Sequence, residues 1–209
     1  MPDLFKMGLI LMVVGLVATA MLAGTDAVTR APIAEAKRQE LLLGLRAVLP
    51  EGFDNAPDQD ILAVSDKRLE KKGKSVTIYR GRKGTSNLGV AFSVIAPDGY
   101  SGDIEILMGV TVDGAITSIR VLSHKETPGL GDKITLTNWP DAFKNKTLTN
   151  VKWGVKKDAG DFDQFAGATI TPRAVVGAVK RGLEFFVENK AKLFEKTVSG
   201  AEASAESKP

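Results

Sequence analysis

Between Lys6 and Asp26 runs a stretch of nineteen residues, MGLILMVVGLVATAMLAGT, that carries no charge. As a helix rising about 1.5 Å per residue it spans roughly 28 Å, close to the ~30 Å hydrocarbon core of a bilayer. The run predicts one transmembrane helix over residues 7–25 inside an anchor of residues 1–28. A cleaved signal peptide is the competing reading, because Lys6 supplies a positive start and Ala18-Thr19-Ala20 has the small-x-small form of a cleavage site. The apolar run continues past that site and exceeds the ~7–15 residues of a usual signal core, which favours a retained anchor. Lipidation is excluded, since Leu22-Ala23-Gly24 is followed by Thr25 where a cysteine is needed. Lys6 lies on one side of the run and Arg30, Lys37 and Arg38 on the other, so charge alone orients the segment weakly.

Beyond the anchor, residues 29–60 read as an amphipathic helix and linker. Leu41, Leu42, Leu45, Val48 and Leu49 share one helical face, Pro32 suits a first turn and Pro50 ends the run. Residues 61–198 then form the main domain. Ile61–Val64, Val76–Tyr79 and Leu88–Ile95 are short β-like runs, and Ile104–Val112 and Ile116–Leu122 flank a hairpin dipeptide, Asp113-Gly114. Pro97-Asp98-Gly99 and Ser101-Gly102 mark turns. Residues 172–194 predict a long helix with an apolar stripe of Val175, Val176, Val179, Leu183, Phe186 and Val187. Thr171 is its expected N-cap and Pro172 its first residue. Strands between helices without a βαβ rhythm predict an α+β fold with an antiparallel sheet. Residues 199–209 read as a flexible tail.

The chain has no cysteine and one histidine, His124. This removes disulfides, cysteine-held iron–sulfur clusters, thiol chemistry and the usual zinc sites, so no metal is expected and any redox carrier must be an organic cofactor. A net charge of +3 is too small and too scattered to argue for nucleic acid. The basic segments Lys67–Lys74 and Arg80–Lys83 have only Tyr79 nearby for stacking and read as solvated surface. Gly73-Lys74-Ser75 is not a phosphate loop, because Arg68 stands five residues before Gly73. Gly129-Leu130-Gly131 lacks the third glycine of a dinucleotide fingerprint.

Two segments resist an ordinary structural reading. Ser123-His124-Lys125-Glu126-Thr127-Pro128-Gly129-Leu130-Gly131-Asp132 places the histidine, a carboxylate and two glycines just after a strand, where loops leaving a rigid sheet carry binding residues. A serine–histidine–acid hydrolase built on His124 has no nucleophile elbow to support it. Asp163-Gln164-Phe165-Ala166-Gly167-Ala168-Thr169-Ile170-Thr171-Pro172 runs directly into the last helix. Gly167 and Ala168 leave space around the Thr169 hydroxyl, and a helix N-terminus beside it favours an anion.

These segments, HKETPGLGD and DQFAGATITP, together with the single anchor, resemble the G subunit of the Rnf-type ion-translocating electron transport complex, and more distantly the C subunit of the sodium-translocating NADH:quinone reductase. The resemblance implies an FMN-binding domain over 61–198 and covalent FMN in phosphoester linkage to Thr169, with Asp163, Gly167 and Ala168 matching the family motif. Ala166 stands where the family commonly has serine or threonine. Thr171 is an alternative acceptor whose capping role would compete. The loop of His124, Glu126, Thr127, Gly129 and Leu130 is the candidate wall for the isoalloxazine, with Leu130 against the ring and Glu126 or Thr127 at its polar edge. By the same resemblance, the chain relays electrons between ferredoxin and NAD within a membrane complex that moves ions. Its expected partners are the other subunits and a magnesium-dependent flavin transferase using FAD. Its place is the bacterial inner membrane, with the soluble part outside the cytoplasm. A non-catalytic anchored adaptor is the alternative.

Overall fold

A computed structural model describes residues 2–69 and 75–195. The chain divides into two compact units at the Leu43/Gly44 junction. The first unit lies within helix α1 (Pro2–Val48), which contains Pro32 in its interior. The sequence expectation of a separate helix beginning at Pro32 is not met. One helix runs through the proline, which forgoes the bond that an N–H at position 32 would make to the Val28 carbonyl and crowds that carbonyl with its ring. The apolar part of α1 is long enough to cross a membrane and its side chains are exposed throughout, Leu11 at 72% and Leu22 at 76%.

The second unit is an α+β domain built on an antiparallel sheet in the order β1 (Ile61–Val64), β2 (Val76–Lys83), β3 (Ser86–Ala96), β4 (Ile104–Thr111) and β5 (Ile116–Ser123). Each strand pairs with its sequence neighbour, so the sheet is a meander of hairpins. Asp113-Gly114 makes the β4–β5 turn with Gly114 at φ +85°, as its sequence predicts. A short helix α2 (Lys133–Leu136), 3-10 turns at Trp139–Phe143 and Lys156–Asp158, and helix α3 (Ile170–Phe194) complete the domain.

The sheet is covered on both faces. Alternate residues Phe92, Val94 and Met108 meet α3 at Gly182, where an added Cβ would lie 2.6 Å from Met108 Sδ. The other alternation carries Gly81, Gly89 and Gly109 toward the segment Leu45–Pro50, whose Leu45, Val48 and Leu49 are fully or almost fully buried. Gly109 permits the closest approach, since a Cβ there would collide with the Val48 backbone carbonyl. Period-two alternation thus assigns β3 and β4 to two separate contacts. Val187, expected in the apolar stripe of α3, is 53% exposed at its edge. Arg80 is buried at the far end of α3, donating through Nε to the Leu193 carbonyl at 2.7 Å and through Nη1 to Asp60 at 3.3 Å. The predicted tail and most of the Lys67–Lys74 loop lie outside the described residues.

Candidate functional site: two glycine turns facing each other

The histidine-bearing loop and the segment before α3 form tight turns of the same kind. In Thr127-Pro128-Gly129-Leu130 the Leu130 N–H donates to the Thr127 carbonyl at 3.1 Å, with Pro128 second and Gly129 third at φ +76°. In Phe165-Ala166-Gly167-Ala168 the Ala168 N–H donates to the Phe165 carbonyl at 3.1 Å, with Gly167 third at φ +78°. A positive φ at the third position is the type II signature, and proline before it is the favoured arrangement. The two turns abut: a Cβ on Gly167 would lie 3.5 Å from Leu130 Cδ2. They are brought together across almost forty residues of chain.

Between and beneath them lies a cavity of about 270 Å³, bordered by Tyr100, Thr127, Leu130, Gly167 and Thr169, with the first residues of α3 closing one end. Leu130 and Ile170 are 41% and 44% exposed and Tyr100 is 68% exposed, so the mouth offers apolar and aromatic surface to solvent. Tyr100 is absent from the sequence expectation, because Gly99-Tyr100-Ser101-Gly102 reads only as a turn. The available signal is an aromatic residue held at a loop tip between two glycines.

Thr169 is the N-cap residue of α3 and makes no side-chain cap hydrogen bond. It is one of the residues that line the cavity. The helix therefore begins earlier than the sequence predicts, and Thr171, the expected cap, lies inside its first turn. Thr171 is 1% exposed and its Oγ1 donates to Glu126 Oε2 at 2.5 Å. Its hydroxyl serves a tertiary contact instead of the helix terminus. The other Glu126 oxygen, Oε1, accepts the Ser101 N–H at 3.0 Å. Glu126 is 5% exposed and both its oxygens are engaged by the protein itself, and it lines the cavity together with the exposed Thr127 beside it.

His124, Gly129 and Asp163 stand outside the cavity lining. His124 Nδ1 accepts the Glu126 N–H at 3.2 Å. In the neutral ring the proton then sits on Nε2, which faces Thr135 Oγ1 at 3.4 Å, and that hydroxyl donates onward to the Asp132 carbonyl at 2.8 Å. The histidine shapes the turn and borders a separate open hollow with Ser101, Asp103 and Lys125. Gly129 supplies the positive φ of the first turn. Asp163 pairs with Lys156 at 2.6 Å, and its backbone carbonyl accepts Trp139 Nε1–H at 2.7 Å.

An aromatic cluster holds the second turn in place. Phe165 lies edge-on to Trp139 at 5.6 Å between centroids, and Phe143 stacks on Phe162 at 4.5 Å. Arg173, one turn into α3, grips Asp158 with Nε–Oδ2 at 2.6 Å and Nη2–Oδ1 at 2.9 Å. That two-pronged contact pushes the Asp158 carboxyl below the ordinary carboxylate range and raises the Arg173 guanidinium above its usual value.

The residues present fit a flavin mononucleotide. Thr169 offers a hydroxyl without a capping partner, Ile170 and Thr171 are the first residues of α3, whose N–H groups have no preceding helical carbonyl to reach, and an apolar rim stands beside them. Among the described residues no group of His, Asp or Glu is arranged to hold a metal ion.

Residues 99–184 match the FMN-binding domain family and residues 3–48 match the RnfG N-terminal region. The chain is 44% identical over 194 residues to the G subunit of the ion-translocating oxidoreductase complex of Aliivibrio fischeri, covering 90% of this chain and 92% of that one. It is 45% identical over 192 residues to the same subunit from Cereibacter sphaeroides, covering 89% and 85%. Among solved structures, Shewanella oneidensis NqrC is 24% identical with a TM-score of 0.49, covering 72% of this chain and 73% of that one. The chain belongs to the family of G subunits of ion-translocating oxidoreductase complexes and contains that family's FMN-binding domain.

Proposed function

We infer that Thr169 carries FMN through a phosphoester bond, and that the chain relays electrons as one subunit of a membrane complex coupling ferredoxin/NAD electron transfer to ion movement. The observation that carries this reading is the contrast between two hydroxyls in one turn of helix. Both residues line the cavity, but Thr169 is partly exposed and makes no side-chain cap bond, while Thr171 is 1% exposed and its hydroxyl is committed to Glu126. A modifying enzyme reaches the first and not the second.

Attachment uses the Thr169 hydroxyl as nucleophile toward FAD. The Oγ–P bond forms, the phosphoanhydride bond breaks, AMP departs, and a flavin transferase takes the hydroxyl proton. The linked phosphodiester keeps one negative charge, and the start of α3 favours it by about 0.3–1 kcal/mol. Leu130 and Tyr100 flank the space available to the ring, with Thr127 at the polar edge. Bound FMN supplies both one- and two-electron steps, and the protein contributes tethering and orientation. Among the described residues one helix is long and apolar enough to cross a membrane, which supports a single-pass protein. We place the soluble domain on the extracytoplasmic side of the bacterial inner membrane, where the flavin transferase implied by the family acts.

The test is co-expression of the full chain with a flavin transferase, followed by a denaturing gel under ultraviolet light. A fluorescent band in the native chain that vanishes in Thr169→Ala is the expected result. A dark band from the native chain, with a known flavinylated substrate bright in the same cells, overturns the covalent assignment.

A further inference from the structure

We propose that Glu126 is a positioning residue for the flavin site: from a buried place in the cavity lining, its carboxylate ties together the three chain segments that form the walls of the cleft, so it acts through the residues it holds in place. The proposal rests on FMN being attached at Thr169. Glu126 itself belongs to the β5–α2 loop that carries Thr127 and Leu130. Its Oε1 accepts the N–H of Ser101, the residue after Tyr100 in the β3–β4 loop. Its Oε2 accepts the hydroxyl of Thr171 in the first turn of α3. Tyr100, Leu130 and Thr169 thus come from three different segments that meet at a single carboxylate.

The packing around Glu126 is built for this role. Gly99 and Gly131 crowd the carboxylate from opposite loops: a Cβ on Gly99 would lie 3.0 Å from Oε1, and one on Gly131 would lie 2.6 Å from Oε2 and 2.7 Å from Thr171 Oγ1. Either side chain would push the junction apart. The start of α3 also lacks a side-chain cap of its own, because the Thr169 hydroxyl makes no cap bond and the first turn holds no acidic residue. Glu126 provides from another element the anchorage that a capping side chain ordinarily gives. This matters to the cofactor because the attachment residue is the N-cap itself: fraying of the first turn would release Thr169 and whatever it carries. A charge-bearing acceptor holding two donors in a buried place is strong, and loss of one partner leaves the rest unsatisfied.

The experiment uses the full chain in detergent, with and without co-expressed transferase, and compares Glu126→Ala, Glu126→Gln, Thr171→Val, Gly131→Ala and the double variant of Glu126→Ala with Thr171→Val. Arg80→Met is the control for general destabilisation. Arg80 meets α3 at Leu193, about 33 Å along the helix from Thr171 at ~1.5 Å per residue. The readouts are visible circular dichroism and fluorescence anisotropy of the attached flavin, and the melting temperature of the flavin-free chain. Glu126→Ala, Thr171→Val and Gly131→Ala are expected to lose at least half of the flavin dichroism and to lower its anisotropy toward that of a flavinylated peptide. Glu126→Gln retains both, because its amide oxygen accepts from Ser101 and the Thr171 hydroxyl turns to accept from its NH2. In the flavin-free chain, Glu126→Ala and Thr171→Val lower the melting temperature by amounts that do not add. Arg80→Met lowers the melting temperature and leaves the flavin signals unchanged.

Native flavin signals in Thr171→Val and Glu126→Ala would overturn the proposal, as would equal loss of those signals in Arg80→Met. If Glu126→Ala fails to fold, Thr171→Val, which removes one hydroxyl and keeps the shape, decides alone. A native chain without covalent flavin overturns the Thr169 assignment instead, and additive melting shifts in the flavin-free chain overturn the coupling of Glu126 with Thr171 independently of any cofactor.

Discussion

Thr171 Oγ1 donates to Glu126 Oε2 at 2.5 Å across 45 residues of sequence, in a place where both side chains are almost wholly shielded from solvent. The contact separates two threonines that look equivalent on paper. It buries and engages the Thr171 hydroxyl, while Thr169, two residues earlier, is partly exposed at the cavity and makes no side-chain cap bond.

Acceptor choice follows from that separation. Thr169→Ser is expected to retain covalent flavin, since serine keeps the hydroxyl at the same backbone position. Thr171→Val keeps the band as well, at native or reduced yield, and Thr169→Ala abolishes it. Intact-mass measurement checks all three, each flavinylated chain being heavier by the mass of FMN less one water. A mass increase in Thr169→Ala, mapped to Thr171, would contradict the geometry.

Sheet packing yields a graded stability test. Gly109→Ala drives a methyl group into the Val48 carbonyl, and a backbone atom cannot step aside. The expected cost is more than about 3 kcal/mol, beyond the usual range for overpacking. Gly182→Ala meets Met108 Sδ at 2.6 Å and Val94 Cγ1 at 2.7 Å. Met108 is flexible and yields, Val94 is stiff, and alanine's helix preference returns about 1 kcal/mol, so a net loss of roughly 1–2 kcal/mol is expected. Chemical denaturation of the full chain in detergent ranks the two variants.

Acid sensitivity beside the site has a defined sign. The Arg173 guanidinium holds Asp158 ionised to lower pH than an ordinary aspartate, so the folded carboxyl titrates below the usual 3.8. A depressed folded value means that the stabilisation is fully present above the unfolded carboxylate range and is lost as pH falls through the folded value. Carboxyl-carbon NMR should place the Asp158 midpoint under 3.8 in the native chain and return it toward that value in Arg173→Met. An unchanged midpoint in the variant would remove Arg173 as the cause.

Orientation is testable because the chain contains no cysteine. Ser86, exposed at the β2–β3 turn, is replaced by cysteine and treated with a membrane-impermeant maleimide. Labelling in intact spheroplasts is the expected outcome. Labelling only after the membrane is permeabilised would put the domain in the cytoplasm.

The strands are legible in the sequence because β-branched runs and turn residues report local physics: Ile104–Thr111 and Ile116–Ser123 fall where Asp113-Gly114 divides them. Pro32 misleads a local reading, since a proline inside a helix costs one hydrogen bond and some strain, which a long helix can absorb. Thr171 misleads for a different reason. Its nearest neighbours favour a cap, while its true partner lies 45 positions away and leaves no mark on local sequence. Tyr100 is hidden in the same way, being brought to the cavity by a loop whose composition signals only a turn. Both glycine motifs are visible as unusual, yet that they form matching turns pressed against each other emerges only from the fold.

A wall made of backbone bends with fixed torsions, backed by a buried carboxylate, has few rotamers to exchange when a neighbouring charge changes. Dipoles held in this way are already oriented before an electron arrives and need little rearrangement afterward. For a flavin tethered at Thr169, the glycines at 129 and 167 would therefore lower reorganisation energy as well as set shape, and speed of relay would be built into the turn geometry.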